Sequence, residues 1–244
     1  MSMFLLPAGL GIGLILGLFG AGGGMATVPT IMVLMDVGIK EAIAMSLWVV
    51  ALVSMAAALH QRVWQFVQWK MLFSLAVSGV LGSWLGSLIG MQMPAQAQLL
   101  MLAGLIFFVT WWMVGIRLEN KVGIFRWIPA LLVGLIIGAL TGILGVGGGF
   151  LLVPALIYLG LKDFPVAVGH SLVLITLNAF AGALSYMGKI DVELEPTLMI
   201  AGIAAIGAVV GGLLLKRLPT DKLQKGFALL LFVLGCWMLW QALA

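Results

Sequence analysis

The sequence predicts an all-helical integral membrane protein made of two related halves. Of its 244 residues, 64% are hydrophobic and only 8% are charged, whereas a soluble domain carries about a quarter charged residues. Apolar runs long enough to cross a bilayer, about 20 residues each, recur along the whole chain. These runs lack the period of two that membrane strands show. A glycine-rich stretch and its surroundings also occur twice, which predicts a duplicated unit.

The first half opens with an apolar segment at about 4–20 that breaks at three consecutive glycines, Gly22, Gly23 and Gly24. A short apolar piece at about 25–35 follows, and as a helix it would cover only about half of the hydrocarbon thickness. A charged loop then leads to three full-length segments, predicted at about 42–59, 68–89 and 95–116.

The second half repeats this order. A segment at about 127–145 leads to Gly147, Gly148 and Gly149, and a short piece at about 150–159 follows. Three more full-length segments are predicted at about 166–186, 196–215 and 223–243. The sequence therefore predicts about eight transmembrane helices plus re-entrant pieces.

The two glycine runs lie 125 positions apart, and other residues match at the same offset. The further matches are Ser46-Leu47 with Ser171-Leu172, Gly82 with Gly207, Gly86 with Gly211, and Pro94 with Pro219. Many matches at one offset indicate duplication. We therefore predict a first transmembrane repeat at 1–120 and a second at 121–244, which together form one transport domain.

Each half has an odd number of predicted crossings, so the second half is expected to be inverted relative to the first. Positively charged loops face the cytoplasm, and this rule assigns ten of the twelve basic residues to that side and two to the outside. The inner set is Arg62, Lys70, Arg117, Lys121, Arg126, Lys162, Lys216, Arg217, Lys222 and Lys225, and the outer set is Lys40 and Lys189. Both termini are then predicted to face outward.

The glycine breaks are predicted to form an anion site. Three glycines end a helix, and Pro29 and Pro154 suit the first turn of the helix that follows. Thr27 is a candidate cap for the first of these helices. Free amides at a helix start attract anions, and two inverted halves bring two such starts to the membrane midplane. The competing interpretation, that the glycines only allow close helix packing, fits Gly79 and its neighbours on the same segment better.

All eight acidic residues fall in predicted loops, so a cation carrier with a buried carboxylate is not indicated. Polar groups within the apolar segments are hydroxyls, an amide and a histidine. Hydroxyls and amides can donate hydrogen bonds to an oxyanion without a fixed charge. The predicted binding residues are Gly22, Gly23, Gly24, Thr27, Ser46, Gly147, Gly148, Gly149, Ser171 and Asn178.

His170 has two interpretations. It precedes Ser171, and the matching position in the first half is Met45, so the symmetry is broken there. A protonated His170 could couple transport to protons. A neutral histidine with hydrogen bonds near a helix start is the alternative.

The paired Gly-x-Gly-Gly-Gly runs, each with a proline five residues on and a Ser-Leu dipeptide about seventeen residues after that proline, resemble the sulfite exporter TauE/SafE family. The resemblance covers nearly the whole chain. It implies transport of sulfur-containing oxyanions such as sulfite, sulfonates or sulfoacetate across the bacterial inner membrane. The family often has threonine where His170 stands.

We therefore expect a secondary exporter of a small anion that needs no metal or other cofactor. Its expected partners are the small anionic substrate and the lipid bilayer, with no nucleic acid and with a homodimer left open. A passive anion channel, a transporter of another small organic anion and a structural subunit are alternatives. An intramembrane enzyme is disfavoured, because adjacent residues such as His170 and Ser171 do not face each other on a helix.

Overall fold

The computed structural model describes residues 2–19, 23–115, 127–161, 163–190 and 192–215, with isolated positions between 226 and 240. Gly22, the predicted loop 117–126 and most of the predicted span 223–243 lie outside the described residues. The described part forms nine α-helices and a short 3-10 turn, Val63–Gln65, between α3 and α4. The helices are α1 Ser2–Phe19, α2 Gly23–Met35, α3 Ile39–His60, α4 Trp69–Gln92, α5 Ala95–Gly115, α6 Trp127–Leu144, α7 Gly149–Tyr158, α8 Phe164–Tyr186 and α9 Leu194–Leu215.

Five of these helices, α3, α4, α6, α8 and α9, are long and apolar enough to cross a membrane. The prediction of an all-helical, multi-pass membrane protein is therefore confirmed for the described residues. The short helices α2 and α7 follow the two glycine runs, as the sequence predicts.

Several helices begin earlier than predicted, because their first turns accept charged residues and proline. Helix α3 begins at Ile39 and includes Glu41, and α9 begins at Leu194 and includes Glu195. The prediction that all acidic residues lie in loops is wrong for these two. Carboxylates are favourable near a helix N-terminus, where backbone amides point outward. Pro165 is likewise accepted in the first turn of α8, where its missing amide would have had no helical acceptor.

The two short helices also begin earlier, within the glycine runs themselves. Helix α2 starts at Gly23, so Thr27 is its fifth residue and Pro29 its seventh. Helix α7 starts at Gly149, which makes Pro154 its sixth residue. The predicted capping role of Thr27 and the predicted first-turn positions of both prolines are therefore wrong. Glycine adopts helical as well as left-handed angles, and this allows the helix to begin before the sequence pattern suggests.

Helices α3 and α8 lie at the centre of the molecule and are the most buried of the long spans. Helix α4 packs along α6, and α9 packs along α1. Each of these pairs joins one half of the chain to the other. Helices α1, α3 and α4 begin at 2, 39 and 69, and α6, α8 and α9 begin at 127, 164 and 194, which is 125 later in each case.

The α4–α6 and α1–α9 pairs are in backbone contact at glycines. A Cβ atom on Gly82 would overlap the carbonyl of Leu135, and a Cβ on Gly207 would overlap the carbonyl of Leu10. The two glycines are 125 positions apart in the sequence, and so are the two leucines that they contact. Such close approach is typical of membrane helix interfaces with small residues. The expectation that these glycines serve packing agrees with these contacts.

Candidate functional site

The second glycine break is a tight, buried turn between α6 and α7. The amide of Gly145 donates to the Thr141 carbonyl at 2.9 Å and ends α6. Gly145, Gly147 and Gly148 then have φ values of 68°, 71° and 61°. These left-handed angles strain any residue with a Cβ atom. The run of glycines is therefore required by the backbone path of this break.

The first break meets the second. Gly24, the second residue of α2, lies so close to Val146 that a Cβ on Gly24 would overlap the Val146 carbonyl oxygen. Val146 is the residue between the left-handed glycines of the second break, and only 2% of its surface is exposed. Two stretches far apart in the sequence are thus in direct backbone contact inside the helical core.

Backbone amides at the second break can act as hydrogen-bond donors. Within the described residues, the backbone amides of Gly147, Gly148 and Gly149 have no hydrogen-bond acceptor. Gly149 begins α7, so these amides also lie at the partially positive end of a helix. This arrangement is suited to an anion.

The walls of this break come from α3, α6 and α8. Gly147 faces Val50 of α3 and Ile175 of α8. A Cβ atom added to Gly147 would lie 2.6 Å from the nearest Val50 side-chain atom and 3.2 Å from that of Ile175. Gly148 faces Thr141, whose hydroxyl donates to the Ile137 carbonyl at 2.9 Å. None of these described contacts involves a charged side chain.

Ser46 lies at the break but uses its hydroxyl to hold the backbone. Its Oγ is 2.7 Å from the Gly145 carbonyl and 2.8 Å from the Ile43 carbonyl, and the single hydroxyl proton serves these two acceptors. The side chain is fully buried. Ser46 would therefore need to rotate before it could donate to a ligand.

The predicted residues Ser171 and Thr27 are also fully buried. The Ser171 hydroxyl donates to the Val168 carbonyl, one turn back along α8, at 2.7 Å. The structure places Ser171 and Ser46 on the two central helices, α8 and α3.

Asn178 faces α4 in this structure. A Cβ on Gly79 would lie 2.6 Å from the Asn178 Oδ1 atom, and the Ser83 hydroxyl donates to the Asn178 backbone carbonyl at 2.6 Å. Oδ1 itself is buried and has no hydrogen-bond partner among the described residues. The described contacts of Asn178 connect α8 to α4 and do not reach either glycine break.

His170 is fully buried and both ring nitrogens are engaged. Nδ1 lies 2.8 Å from the Val166 carbonyl, and Nε2 accepts the backbone amide of Gln68 at 2.8 Å. This pairing requires a neutral ring with its proton on Nδ1. Protonation of Nε2 would place two N–H groups against each other. Proton coupling through His170 remains a prediction.

Several buried polar residues were not predicted from the sequence. They include Ser54 of α3, whose hydroxyl lies 2.9 Å from that of the half-buried Thr176 of α8, and Gln98 of α5, which donates to carbonyls at the ends of α4 and α6. Helix α4 has a buried row of serines, whose spacing of four or five residues along one face could have indicated it. The row consists of Ser74, Ser78, Ser83 and Ser87.

The donors at the break are neutral. Within the described residues, no group of three or more His, Cys, Asp or Glu side chains could hold a metal ion. The available chemistry is hydrogen-bond donation from backbone amides, assisted by a helix start, to a small and reversibly bound anion.

The known proteins that this chain resembles are named as transporters. The family described as Sulfite exporter TauE/SafE matches residues 5–238. A "Probable membrane transporter protein" of Xylella fastidiosa (strain Temecula1 / ATCC 700964) is 30% identical over 250 residues, covering 96% of this chain and 93% of that protein. The "Probable membrane transporter protein YunE" of Bacillus subtilis (strain 168) is 24% identical, covering 99% and 98%. No solved structure gives a significant match.

Proposed function

Because the chain belongs to the sulfite exporter TauE/SafE family, we propose that this multi-pass membrane transporter is a secondary exporter of a small sulfur-containing oxyanion. Sulfite, a sulfonate and sulfoacetate are the candidate substrates. The family name supports the sulfur chemistry, and the relatives are named as membrane transporters. The site is proposed to lie where the two glycine breaks meet.

The observation that carries this proposal is the contact between Gly24 and Val146. It joins the start of α2 to the turn before α7, so the amides near two helix starts share one region. Backbone that is not helical persists inside a membrane protein where it is buried in protein or lines a cavity. Paired broken helices are a recurrent plan for transporter binding sites.

Neutral donors suit a carrier better than a fixed positive charge would. The amides of Gly147, Gly148 and Gly149, which have no acceptor among the described residues, can bind oxyanion oxygens, and Ser46 and Ser171 would add hydroxyls after side-chain rotation. Amide donors at a helix start bind anions without a buried Lys or Arg. Binding of this kind is reversible, and release is a requirement of transport.

We further propose that residues 1–120 and 121–244 are repeats of inverted topology. The common offset of 125 between helix starts and the matched glycine contacts of the α4–α6 and α1–α9 pairs support this. If residues 223–243 form a final helix, as the sequence predicts, the second half would contain the same series of segments as the first. Movement of one helix pair against the other would expose the site to each side in turn.

The proposed orientation rests on the distribution of the basic residues. An inner-membrane location with both termini outside places ten of the twelve Lys and Arg residues on the cytoplasmic side. The bond from Lys40 Nζ at the start of α3 to the Met91 carbonyl at the end of α4, 2.7 Å long, supports this orientation, in which both helix ends face outward. A homodimer in this membrane stays a prediction.

Transport by the purified protein tests the proposal. Proteoliposomes should take up labelled sulfite with saturable kinetics and should take up chloride poorly. Gly148→Val should abolish this uptake, because Gly148 has a left-handed φ and its Cβ would overlap Thr141. Gly202→Val is the matched control, since a Cβ at Gly202 has no heavy atom within 4 Å.

Normal sulfite uptake by a correctly inserted Gly148→Val variant would refute the site. Uptake that rises without saturation and includes chloride would instead identify a passive anion channel. Saturable uptake of carboxylates in place of sulfite would identify a transporter of another organic anion.

A further inference from the structure

Gln98 is a buried amide at a junction of three helices. It is the fourth residue of α5 and has no exposed surface. A buried amide is costly unless it forms hydrogen bonds. Gln96, in the same helical turn, is exposed and offers a contrast.

The Gln98 side chain connects the C-terminal ends of α4 and α6. Its Nε2 donates to the Gly90 carbonyl at 3.0 Å and to the Ile143 carbonyl at 2.9 Å. Both amide protons are therefore used. The reverse orientation of the amide would place Oε1 against two carbonyl oxygens, so the bonding pattern fixes the orientation. Oε1 has no partner among the described residues.

The Ile143 carbonyl is the acceptor that matters for the glycine break. In a continuous α-helix this carbonyl would accept the amide of Gly147, four residues on. The left-handed turn at Gly145 takes the chain out of the helix, and the Gly147 amide is left without an acceptor among the described residues. Gln98 supplies the donor that Gly147 no longer provides.

Ser46 acts in the same way two residues later, because it donates to the Gly145 carbonyl. Two side chains from other helices thus satisfy carbonyls in and just before the break. The position that matches Gln98 in the second half is Leu223, which has no donor. The first break therefore lacks an equivalent glutamine at this place in the sequence.

We propose that Gln98 is a positioning residue for the anion site, because it satisfies the Ile143 carbonyl and leaves the Gly147 amide free for the anion. This proposal rests on the proposed function. Loss of the Gln98 donor would leave a buried carbonyl that competes with the anion for the Gly147 amide, and such an orphaned acceptor is unfavourable.

Two variants and one control test this role in transport. Gln98→Leu copies Leu223, and Gln98→Met keeps the side-chain volume without a donor. Both should raise the KM for sulfite by about tenfold, the change that corresponds to loss of one well-formed hydrogen bond near the site. The maximal rate per folded protein should change less. Gln96→Leu should leave both constants at their wild-type values.

A second measurement is independent of the substrate. Val146→Cys, made in a Cys236→Ala background, places a thiol within the break, where Val146 is buried. Addition of Gln98→Leu should increase the rate of maleimide modification by about tenfold, because the end of α6 loses a fixed contact. Addition of Gln96→Leu should not change that rate.

An unchanged modification rate and an unchanged KM in both folded Gln98 variants would overturn the role of Gln98. An equal increase in the Gln96→Leu control would also overturn it. If wild-type protein transports none of the tested anions, the proposed function fails. The maleimide modification rates still decide whether the Gln98 side chain fixes the position of the second glycine break.

Discussion

The two halves of the molecule share a backbone arrangement and differ in their buried side chains. Gly82 of α4 contacts the backbone of α6, and Gly207 of α9 contacts the backbone of α1 at the matching place. Yet Ser83 on α4 corresponds to Ala208 on α9, and both positions are fully buried. Close helix contact depends on small residues at fixed positions and therefore repeats in both halves. The bond from the Ser83 hydroxyl to the Asn178 carbonyl depends on an individual side chain, and Ala208 has no hydroxyl to form its counterpart.

The largest expected effect concerns the glycines that join the two halves. Gly24→Val should abolish sulfite uptake in proteoliposomes, as Gly148→Val should, because its Cβ would overlap the Val146 carbonyl and separate the breaks. The loss should exceed about a hundredfold, since displacement of binding groups by a fraction of a bond length has effects of this size. Gly104→Val, at a position with no heavy atom within 4 Å of the built Cβ, is the control. Uptake by Gly24→Val at the control rate would show that the first break is not part of the site.

The packing glycines should show equal effects in the two halves. Gly82→Val and Gly207→Val should each lower the free energy of unfolding by about 1–3 kcal/mol, the usual cost of overpacking. Thermal unfolding of both purified variants would measure this. A large loss in one variant and none in the other would contradict the matched packing of α4–α6 and α1–α9.

His170 should behave as a structural residue. His170→Met introduces the residue of the matching position, Met45, and removes the bonds to Val166 and Gln68. The free energy of unfolding should fall by about 1 kcal/mol, and the pH dependence of sulfite uptake should stay as in wild type. A pH profile that becomes flat in His170→Met would instead show that this side chain couples transport to protons.

The smallest effect is expected at Ser83. Ser83→Ala removes the bond to the Asn178 carbonyl and makes α4 resemble α9, where Ala208 stands. Hydrogen bonds between membrane helices contribute about 0.6 kcal/mol on average, so thermal unfolding should shift slightly and sulfite uptake should remain. Loss of uptake at unchanged stability would reveal a direct role of Ser83 in transport.

The sequence predicts the helical membrane fold because hydropathy is a property of local segments. It misplaces the starts of α3 and α9, since charges at Glu41 and Glu195 look like loop residues and are stabilised in first helical turns. It also predicts that Pro29 lies in the first turn of α2, because a run of glycines is not expected to be helical. The helix in fact begins at Gly23, so that Pro29 is its seventh residue.

The glycine break itself is predictable from its duplication, whereas the bonds around it are not. Ser46 bonds to Gly145 across 99 residues and Gln98 bonds to Ile143 across 45. Contacts between residues so far apart in the sequence produce no periodic pattern from which they could be predicted. Asn178 is buried, as its position within an apolar segment predicts, but its orientation toward Gly79 depends on how α4 packs on α8.

Equilibrium binding of labelled sulfite to the purified protein tests the central claim most directly, because it needs no assumption about coupling or direction. Wild-type protein and Gly202→Ala should bind sulfite saturably at one site per chain, with unlabelled sulfite competing and chloride competing weakly. Gly24→Ala, in which a single methyl group would overlap the Val146 carbonyl, should lose this binding while it remains folded. Sulfite binding by Gly24→Ala with wild-type affinity would contradict a site formed by the two glycine breaks.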